Sequence, residues 1–158
     1  MAEFDGVSEL AKSGPRRLRD AEELLEPPSS YPDEQGVETR HLRGAAYLAG
    51  YGVECLLKVY IILARRPECR RLSQAREALR QGGNDVRDIC GASGHDLPYL
   101  LSLTDLEGRM DKNCLRQMPL CAKWKSSWRY DPRPMKRSDA EAIVHSARQL
   151  VNWIQSQI

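Results

Sequence analysis

The sequence of 158 residues lacks the patterns that would assign a fold or a chemistry at once. No run alternates polar with β-branched residues, which argues against half-buried strands. The five cysteines contain no Cys-x-x-Cys pair, so neither a disulfide framework nor a zinc site is predicted. No basic region followed by an uninterrupted apolar run opens the chain, and we therefore expect a cytoplasmic protein with no membrane segment.

Motifs of the common enzyme classes are also missing. There is no serine, histidine and aspartate arrangement, no glycine-rich phosphate loop and no helix motif with metal-ligand spacing. Gly82 and Gly83 lack the lysine and serine that follow in a phosphate loop, and they indicate a turn. The sequence consequently predicts no cofactor and no bound metal.

The most informative stretch is residues 40–64, where apolar residues recur at helical spacing on two adjacent faces. A helix with two apolar faces must be covered from two sides, and it retains only one narrow polar stripe. Glu54 and Lys58 on that stripe are four residues apart, in the order that favours an ion pair along the helix. A patterned stripe on a central helix marks a candidate functional site. The polar stripe consists of Arg43, Tyr47, Tyr51, Glu54 and Lys58.

Helix start and stop signals predict an all-α protein, an antiparallel bundle of five to six helices with short connections. One domain is expected over residues 15–158, after an N-terminal extension at residues 1–14 that could be flexible. Besides the central helix, the signals predict a first helix that begins at Pro15, a basic helix at Ser73–Arg80, a helix capped by Asp96, an element at residues 111–128 interrupted by Pro119, and a last helix opened by a capping box at Ser138–Glu141.

Charge is distributed unevenly, because residues 1–39 carry a net charge of −6 and the remainder carries +8. One basic cluster lies at residues 65–80 and a second at residues 123–137. The second interleaves aromatic residues with its charges, which suits a surface that neutralises phosphates and stacks bases. The alternative is that Trp124 and Trp128 share one buried helix face while the charges are solvated. The candidate nucleic-acid or nucleotide-binding residues are Lys123, Lys125, Trp128, Arg129, Tyr130 and Arg133.

Three of these stretches, in their order along the chain, resemble the motifs of prokaryotic HEPN domains. The resemblance is to the small stand-alone members encoded beside a minimal nucleotidyltransferase. The matching stretches are Glu54-Cys-Leu-Leu-Lys58, Gly94-His95-Asp96-Leu97 and Arg129-Tyr130 before a proline.

The resemblance implies a dimeric helical bundle that acts in toxin–antitoxin, phage-defence or RNA-processing systems. Many members of the family are metal-independent endoribonucleases. They use an arginine and a histidine separated by four to six residues, one to stabilise charge on phosphorus and one to relay a proton. That motif is absent, because seven residues separate Arg87 from His95 and Arg137 from His145. Ribonuclease activity is therefore predicted to be absent or very weak without a partner.

Three hypotheses about function follow. The first is a dimeric binding or regulatory module for RNA, a nucleotide or a partner nucleotidyltransferase. The second is a metal-independent endoribonuclease with a non-standard arrangement, in which His95, Arg129 and Tyr130 converge on a phosphodiester. The third is a structural interaction protein whose polar stripe lines the contact between subunits.

Two structural expectations accompany these hypotheses. We expect a homodimer, because the central helix carries more apolar surface than a small bundle easily covers. We also expect the polar residues of the three motifs to cluster, namely Glu54, Lys58, His95, Arg129 and Tyr130. His95 itself is expected to be structural, with a ring nitrogen held by the backbone or by Asp96.

Overall fold

Six α-helices form the part of the chain that the computed structural model describes, which is residues 6–26, 35–81, 89 and 92–158. This confirms the predicted all-α class. Three short 3₁₀ segments lie at Ala92–His95, Glu107–Arg109 and Ser126–Tyr130. The helices are α1 (Val7–Leu25), α2 (Gln35–Arg65), α3 (Leu72–Gln81), α4 (Leu97–Ser102), α5 (Lys112–Cys121) and α6 (Arg137–Gln155).

Helix α2 is the centre of the bundle, and α1, α4, α6 and the segment Ser126–Tyr130 pack around it. Nearly all residues of its two predicted apolar faces are buried, whereas Leu63 is 39% exposed. Elements of the same chain cover the helix from both sides. The apolar surface of α2 therefore requires no second subunit, and dimerisation stays a prediction.

In length and composition, the stretch His41–Arg65 of α2 could also cross a membrane. Its most apolar window is 78% buried inside the bundle, however. Such burial is typical of the core helix of a soluble protein, whose apolar side chains face protein rather than lipid.

The first helix begins at Val7, so the prediction that it starts at Pro15 was wrong. Residues 7–14 belong to the bundle because Val7 and Gly14 are buried and the Val7 amide donates to the Arg70 carbonyl at 2.9 Å. Pro15 removes one helical hydrogen bond, and the close contact between α1 and α2 at this point outweighs that loss. A Cβ atom on Gly14 would lie 2.7 Å from Leu56 Cγ, and one on Gly52 would lie 2.8 Å from the Gly14 carbonyl oxygen.

The remaining helix boundaries test the other sequence signals. Asp96 caps α4 as predicted, accepting a hydrogen bond from the Tyr99 amide at 3.1 Å. Pro119, which was expected to start, break or kink the element at residues 111–128, lies inside α5, and the helix ends two residues later at Cys121. The basic helix predicted near Ser73–Arg80 is α3. The turn at Gly82-Gly83 and Arg87 lie outside the described residues.

The last helix begins at Arg137, and the predicted capping box at Ser138 was wrong. Lys136 occupies the N-cap position without a side-chain cap, and the Arg137 guanidinium reaches across to the Leu25 carbonyl at 3.0 Å. This contact joins the start of α6 to the C-terminal end of α1. The inward face predicted for this helix is buried as expected and consists of Ala140, Ile143, Val144, Ala147, Leu150, Val151 and Ile154.

Candidate nucleic-acid interface

The polar stripe of α2 has two ends with different surroundings. At the N-terminal end, Arg43 and Tyr47 line an open groove against the residues that follow α5. At the C-terminal end, Glu54 and Lys58 are buried. The two ends can therefore support different chemistry.

The groove lies between α2 and the segment at residues 128–133, and its volume is about 270 Å³. Helix α2 contributes one wall, and the 3₁₀ turn with the chain that leaves it contributes the other. This segment can lie close to α2 because Trp124, just before it, packs directly over Gly50, where any Cβ atom would clash with the indole. The lining residues are Arg43, Gly44, Tyr47, Leu48, Trp128, Arg129, Asp131, Pro132 and Arg133.

Arg43 ties the two walls together. Its guanidinium donates from Nε to the Arg133 carbonyl at 2.8 Å, from Nη1 to Asp131 Oδ2 at 3.0 Å and from Nη2 to the Pro134 carbonyl at 3.1 Å. The same group lies 5.8 Å from the centre of the Trp128 ring. Arg43 thus fixes both the outer wall and the indole that lines the groove.

Asp131 is held by a second arginine. Arg133 donates from Nε to Oδ1 at 2.9 Å and from Nη2 to Oδ2 at 2.7 Å, which is the bidentate geometry that suits a carboxylate. The Arg133 side chain and backbone amide, with Arg43 beyond them, hold the pKa of Asp131 well below its usual range. Asp131 is consequently ionised at neutral pH, and it engages donors of both arginines in the groove.

The segment at residues 123–130, which leads into the groove, carries three exposed cations that we call the basic margin. Lys123, Lys125 and Arg129 are all exposed, and the Arg129 guanidinium lies 4.6 Å from the centre of the Tyr130 ring. Tyr130 is itself 76% exposed. Within the described part of the chain, the ion pairs include none of these three cations. They are therefore available to neutralise an anionic ligand.

The two tryptophans of the basic segment have different roles. Trp124 is buried, and its Nε1 donates to the Tyr47 carbonyl at 2.9 Å, so it belongs to the core. Trp128 is half-buried and lines the groove. Their predicted placement on one helix face was wrong, because α5 ends at Cys121 and the chain is irregular between it and Ser126.

The first basic cluster is used in part to hold the bundle together. Arg65 donates to the Leu103 carbonyl at 2.6 Å, and Arg66 donates to the Ala78 carbonyl at 3.2 Å. Both guanidinium groups therefore already have protein acceptors.

At the buried end of the stripe, Glu54 has two partners. Its Oε1 accepts from Lys58 Nζ at 2.6 Å, as the helical spacing predicts, and its Oε2 lies 3.0 Å from His95 Nδ1. The side chains of Glu54 and Lys58 are 2% and 6% exposed, whereas that of His95 is 39% exposed. The expectation that the backbone or Asp96 holds His95 was wrong, since Glu54 is the partner.

The Glu54 contact assigns a tautomer to neutral His95. A carboxylate can only accept, so the ring proton belongs on Nδ1 and Nε2 is left as an acceptor. Gly94 allows this placement, because a Cβ atom there would clash with the Ile89 carbonyl. The geometry is that of a histidine oriented by a buried carboxylate.

Trp124 connects the two ends of the stripe. Its ring lies 6.5 Å from the His95 ring and 6.1 Å from the Tyr47 ring, centre to centre. Of the five motif residues expected to cluster, the structure joins Glu54, Lys58 and His95. Arg129 and Tyr130 contact each other at the groove, so within one chain the set forms two groups.

The remaining groups near the stripe are poor acids and nucleophiles. Burial raises the pKa of Tyr51 to about 12 and that of the neighbouring Cys55 thiol to about 12. Tyr51 stacks on Tyr47 with ring centres 6.2 Å apart. The described residues also include no group of three or more histidine, cysteine or acidic side chains that could hold a metal ion.

Comparisons of the chain with protein-family models, with curated proteins and with solved structures found no match. The resemblance to HEPN domains therefore rests on the sequence motifs alone. The geometry of the groove and of the Glu54–His95 pair is what bears on function.

Proposed function

We propose that the protein is a HEPN-like RNA-binding module whose site is the groove together with its basic margin, Lys123, Lys125 and Arg129. The observation that carries the proposal is the exposed cation Arg129, which lines the groove together with the aromatic side chains of Tyr47 and Trp128 and belongs to no ion pair among the described residues. Lys123 and Lys125 are exposed on the segment that leads into the groove. Phosphates would lie on the cations and release condensed counterions, which supplies affinity without sequence preference. Aromatic rings add stacking energy that any base can use.

The cellular setting of the proposal rests on the resemblance. It favours a cytoplasmic homodimer that works beside a nucleotidyltransferase in a toxin–antitoxin or phage-defence system. Sedimentation equilibrium tests the oligomeric state, since the measured mass of a homodimer should be twice the 17.9 kDa of one chain. A mass of one chain at high micromolar concentration would remove dimerisation from the proposal.

Anisotropy titrations with labelled single-stranded RNA at several salt concentrations test the binding proposal. The plot of log affinity against log salt has a negative slope. Replacing Lys123, Lys125 and Arg129 together by alanine should reduce the magnitude of that slope by about 2, because each lost phosphate contact contributes roughly 0.7. A matched control replaces Lys12, Lys112 and Arg116, which are exposed on α1 and α5. Equal slopes for the two triple variants would contradict the proposed site.

A second function, metal-independent RNA cleavage, is favoured by one specific observation, the Glu54–His95 pair. When its Nδ1–H group donates a hydrogen bond to Glu54, His95 could accept a proton through Nε2 from an RNA 2′-hydroxyl. The 2′-oxygen would then bond to phosphorus as the bond to the 5′-oxygen breaks, with water protonating the leaving oxygen. The products would be a 2′,3′-cyclic phosphate and a 5′-hydroxyl.

Incubation of labelled RNA with the protein and a metal chelator separates the two functions. The binding proposal predicts intact RNA with the wild type and with His95→Ala alike. Cleavage that is lost in His95→Ala and retained in the control His145→Ala would make the nuclease function the better one. His145 is exposed on α6 and suits that comparison because it removes the same side chain.

A further inference from the structure

The two arginines that line the inner groove are already engaged by the protein. Arg43 directs its Nε, Nη1 and Nη2 to a carboxylate and two carbonyls, and Arg133 forms a bidentate pair with Asp131. A phosphate that approached the same nitrogens would have to displace these acceptors, although the Arg133 side chain is 80% exposed. It would also meet the negative charge of Asp131, which itself lines the groove.

The margin of the groove has the opposite character. Lys123, Lys125 and Arg129 are exposed, and no carboxylate of the described residues pairs with them. Arg129 belongs to both regions, because it lines the groove and stacks on Tyr130 outside it. The basic margin thus carries cations without a partner among the described residues, whereas Asp131 offsets part of the charge of Arg43 and Arg133.

We infer that the groove is a nucleobase pocket, in which an uncharged base stacks on Trp128, while the phosphates of the same strand lie on Lys123, Lys125 and Arg129. This inference rests on the proposed RNA-binding function and divides its site into two parts. A volume of about 270 Å³ lies just below the range of ligand pockets, which is roughly 300 to 1,000 Å³, and suits a ligand as small as a single base.

Arg43 and Asp131 are positioning residues in this account. The Arg43 guanidinium lies against Trp128 and binds the chain at residues 131–134, so the indole is held in place before a ligand arrives. A stacking surface that is already ordered loses little conformational entropy on binding. The two arginines therefore contribute to affinity without contacting phosphate.

Salt-dependent RNA titrations of single variants separate the two parts. Trp128→Ala should weaken RNA binding about tenfold or more with an unchanged salt slope, because stacking is worth roughly 1–3 kcal/mol per base. Trp128→Phe keeps an aromatic ring and should recover much of that loss, which guards against a general folding defect. Arg133→Ala should leave the slope unchanged, whereas Arg129→Ala should lower it by about 0.7.

Titration with adenosine, which carries no phosphate, separates this inference from the RNA-binding proposal. We expect weak, salt-independent adenosine binding that is lost in Trp128→Ala. RNA binding in which Trp128→Ala matches the wild type and Arg133→Ala lowers the slope would overturn the base pocket and leave the RNA function standing. Adenosine binding without RNA binding at any salt concentration would overturn the RNA-binding function and leave the base pocket standing. Failure of both ligands to bind would overturn both proposals.

Discussion

Both ends of the polar stripe on α2 carry charged side chains, but these side chains are buried to different depths. Arg43 is bound to a surface segment that leaves a groove open beside it, while Glu54 and Lys58 are closed off almost completely. The difference arises from what packs on each end. Residues 128–134 cross the first end as a tether, whereas His95 and Trp124 lie over the second. Accessibility for a ligand is thus set by the covering segment rather than by α2.

The largest loss of stability is expected from breaking the buried Glu54–Lys58 pair at the C-terminal end of the stripe. Lys58→Met leaves the Glu54 carboxylate buried with His95 as its remaining partner, and this should lower the free energy of unfolding by about 3–5 kcal/mol. Denaturant unfolding measures the change. The double variant Glu54→Gln/Lys58→Met should lose less than the two single variants combined, because it removes both charges.

A surface pair of the same kind supplies the control for that comparison. Arg17 and Asp20 lie 3.0 Å apart on α1, with side chains 42% and 38% exposed. Arg17→Met should lower the free energy of unfolding by less than about 1 kcal/mol. Equal losses for Lys58→Met and Arg17→Met would contradict the burial of the Glu54–Lys58 pair.

Two glycines of α2 sharpen the comparison along the same helix. Gly52→Ala should lower the free energy of unfolding by about 1–3 kcal/mol, because its new Cβ atom would lie 2.8 Å from the Gly14 carbonyl oxygen. Gly44 lines the groove, and the nearest atom to a Cβ there is Leu24 Cδ1 at 3.7 Å. Gly44→Ala should therefore raise stability by up to about 1 kcal/mol through reduced freedom of the unfolded chain.

Thermal unfolding of the two variants and the wild type shows directly whether each substitution raises or lowers the melting temperature. Opposite signs are the expected result. A gain in melting temperature for Gly52→Ala would show that α1 and α2 can separate without cost, contrary to the close contact at Gly14.

The smallest effect is expected on the stability of the fold at acid pH, through Asp131 in the groove. Arg133 and Arg43 lower the pKa of Asp131 in the folded state, so its ionised form stabilises the fold at neutral pH. That contribution is lost as the pH falls below the usual aspartate pKa of about 4. Wild type should therefore lose more stability between pH 6 and pH 3 than Asp131→Asn does. Parallel pH profiles for the two proteins would contradict a stabilising role for this carboxylate.

Helical spacing predicted the bundle and much of its interior, as the buried faces of α2 and α6 show. It also predicted the Glu54–Lys58 pair, because partners four residues apart are local information. Periodicity indicates on which face of the helix a side chain lies, but it does not indicate which segment packs over that face. The burial of that pair beneath His95 therefore could not be predicted from α2 alone.

The parts of the site that sequence analysis missed are contacts between distant segments. Arg43 and Asp131 are 88 residues apart, and the hydrogen bond from Trp124 to the Tyr47 carbonyl spans 77 residues. No local pattern encodes such pairs. Gly50 was a usable signal, because a glycine inside a long helix indicates close packing, and Trp124 occupies the space.

The same limit explains why the first and last helices were placed wrongly at their starts. Pro15 and the Ser138–Glu141 box are both good local signals for a helix N-terminus. Tertiary contacts override them, since Val7 bonds to the chain near α3 and Arg137 bonds to the end of α1. The sequence signals were correct about the presence of the helices and wrong about where they begin.

Amide chemical-shift mapping during an RNA titration tests the central claim most directly, which is that the two ends of the stripe differ in access to a ligand. The account predicts that single-stranded RNA shifts the amide signals of Gly44, Tyr47 and residues 123–133, with little change in the first basic cluster near α3. It also predicts that the signals of α5 and the outer face of α6 stay in place. Shifts centred on residues 65–75, or no shifts in the groove at RNA concentrations that saturate binding, would contradict it.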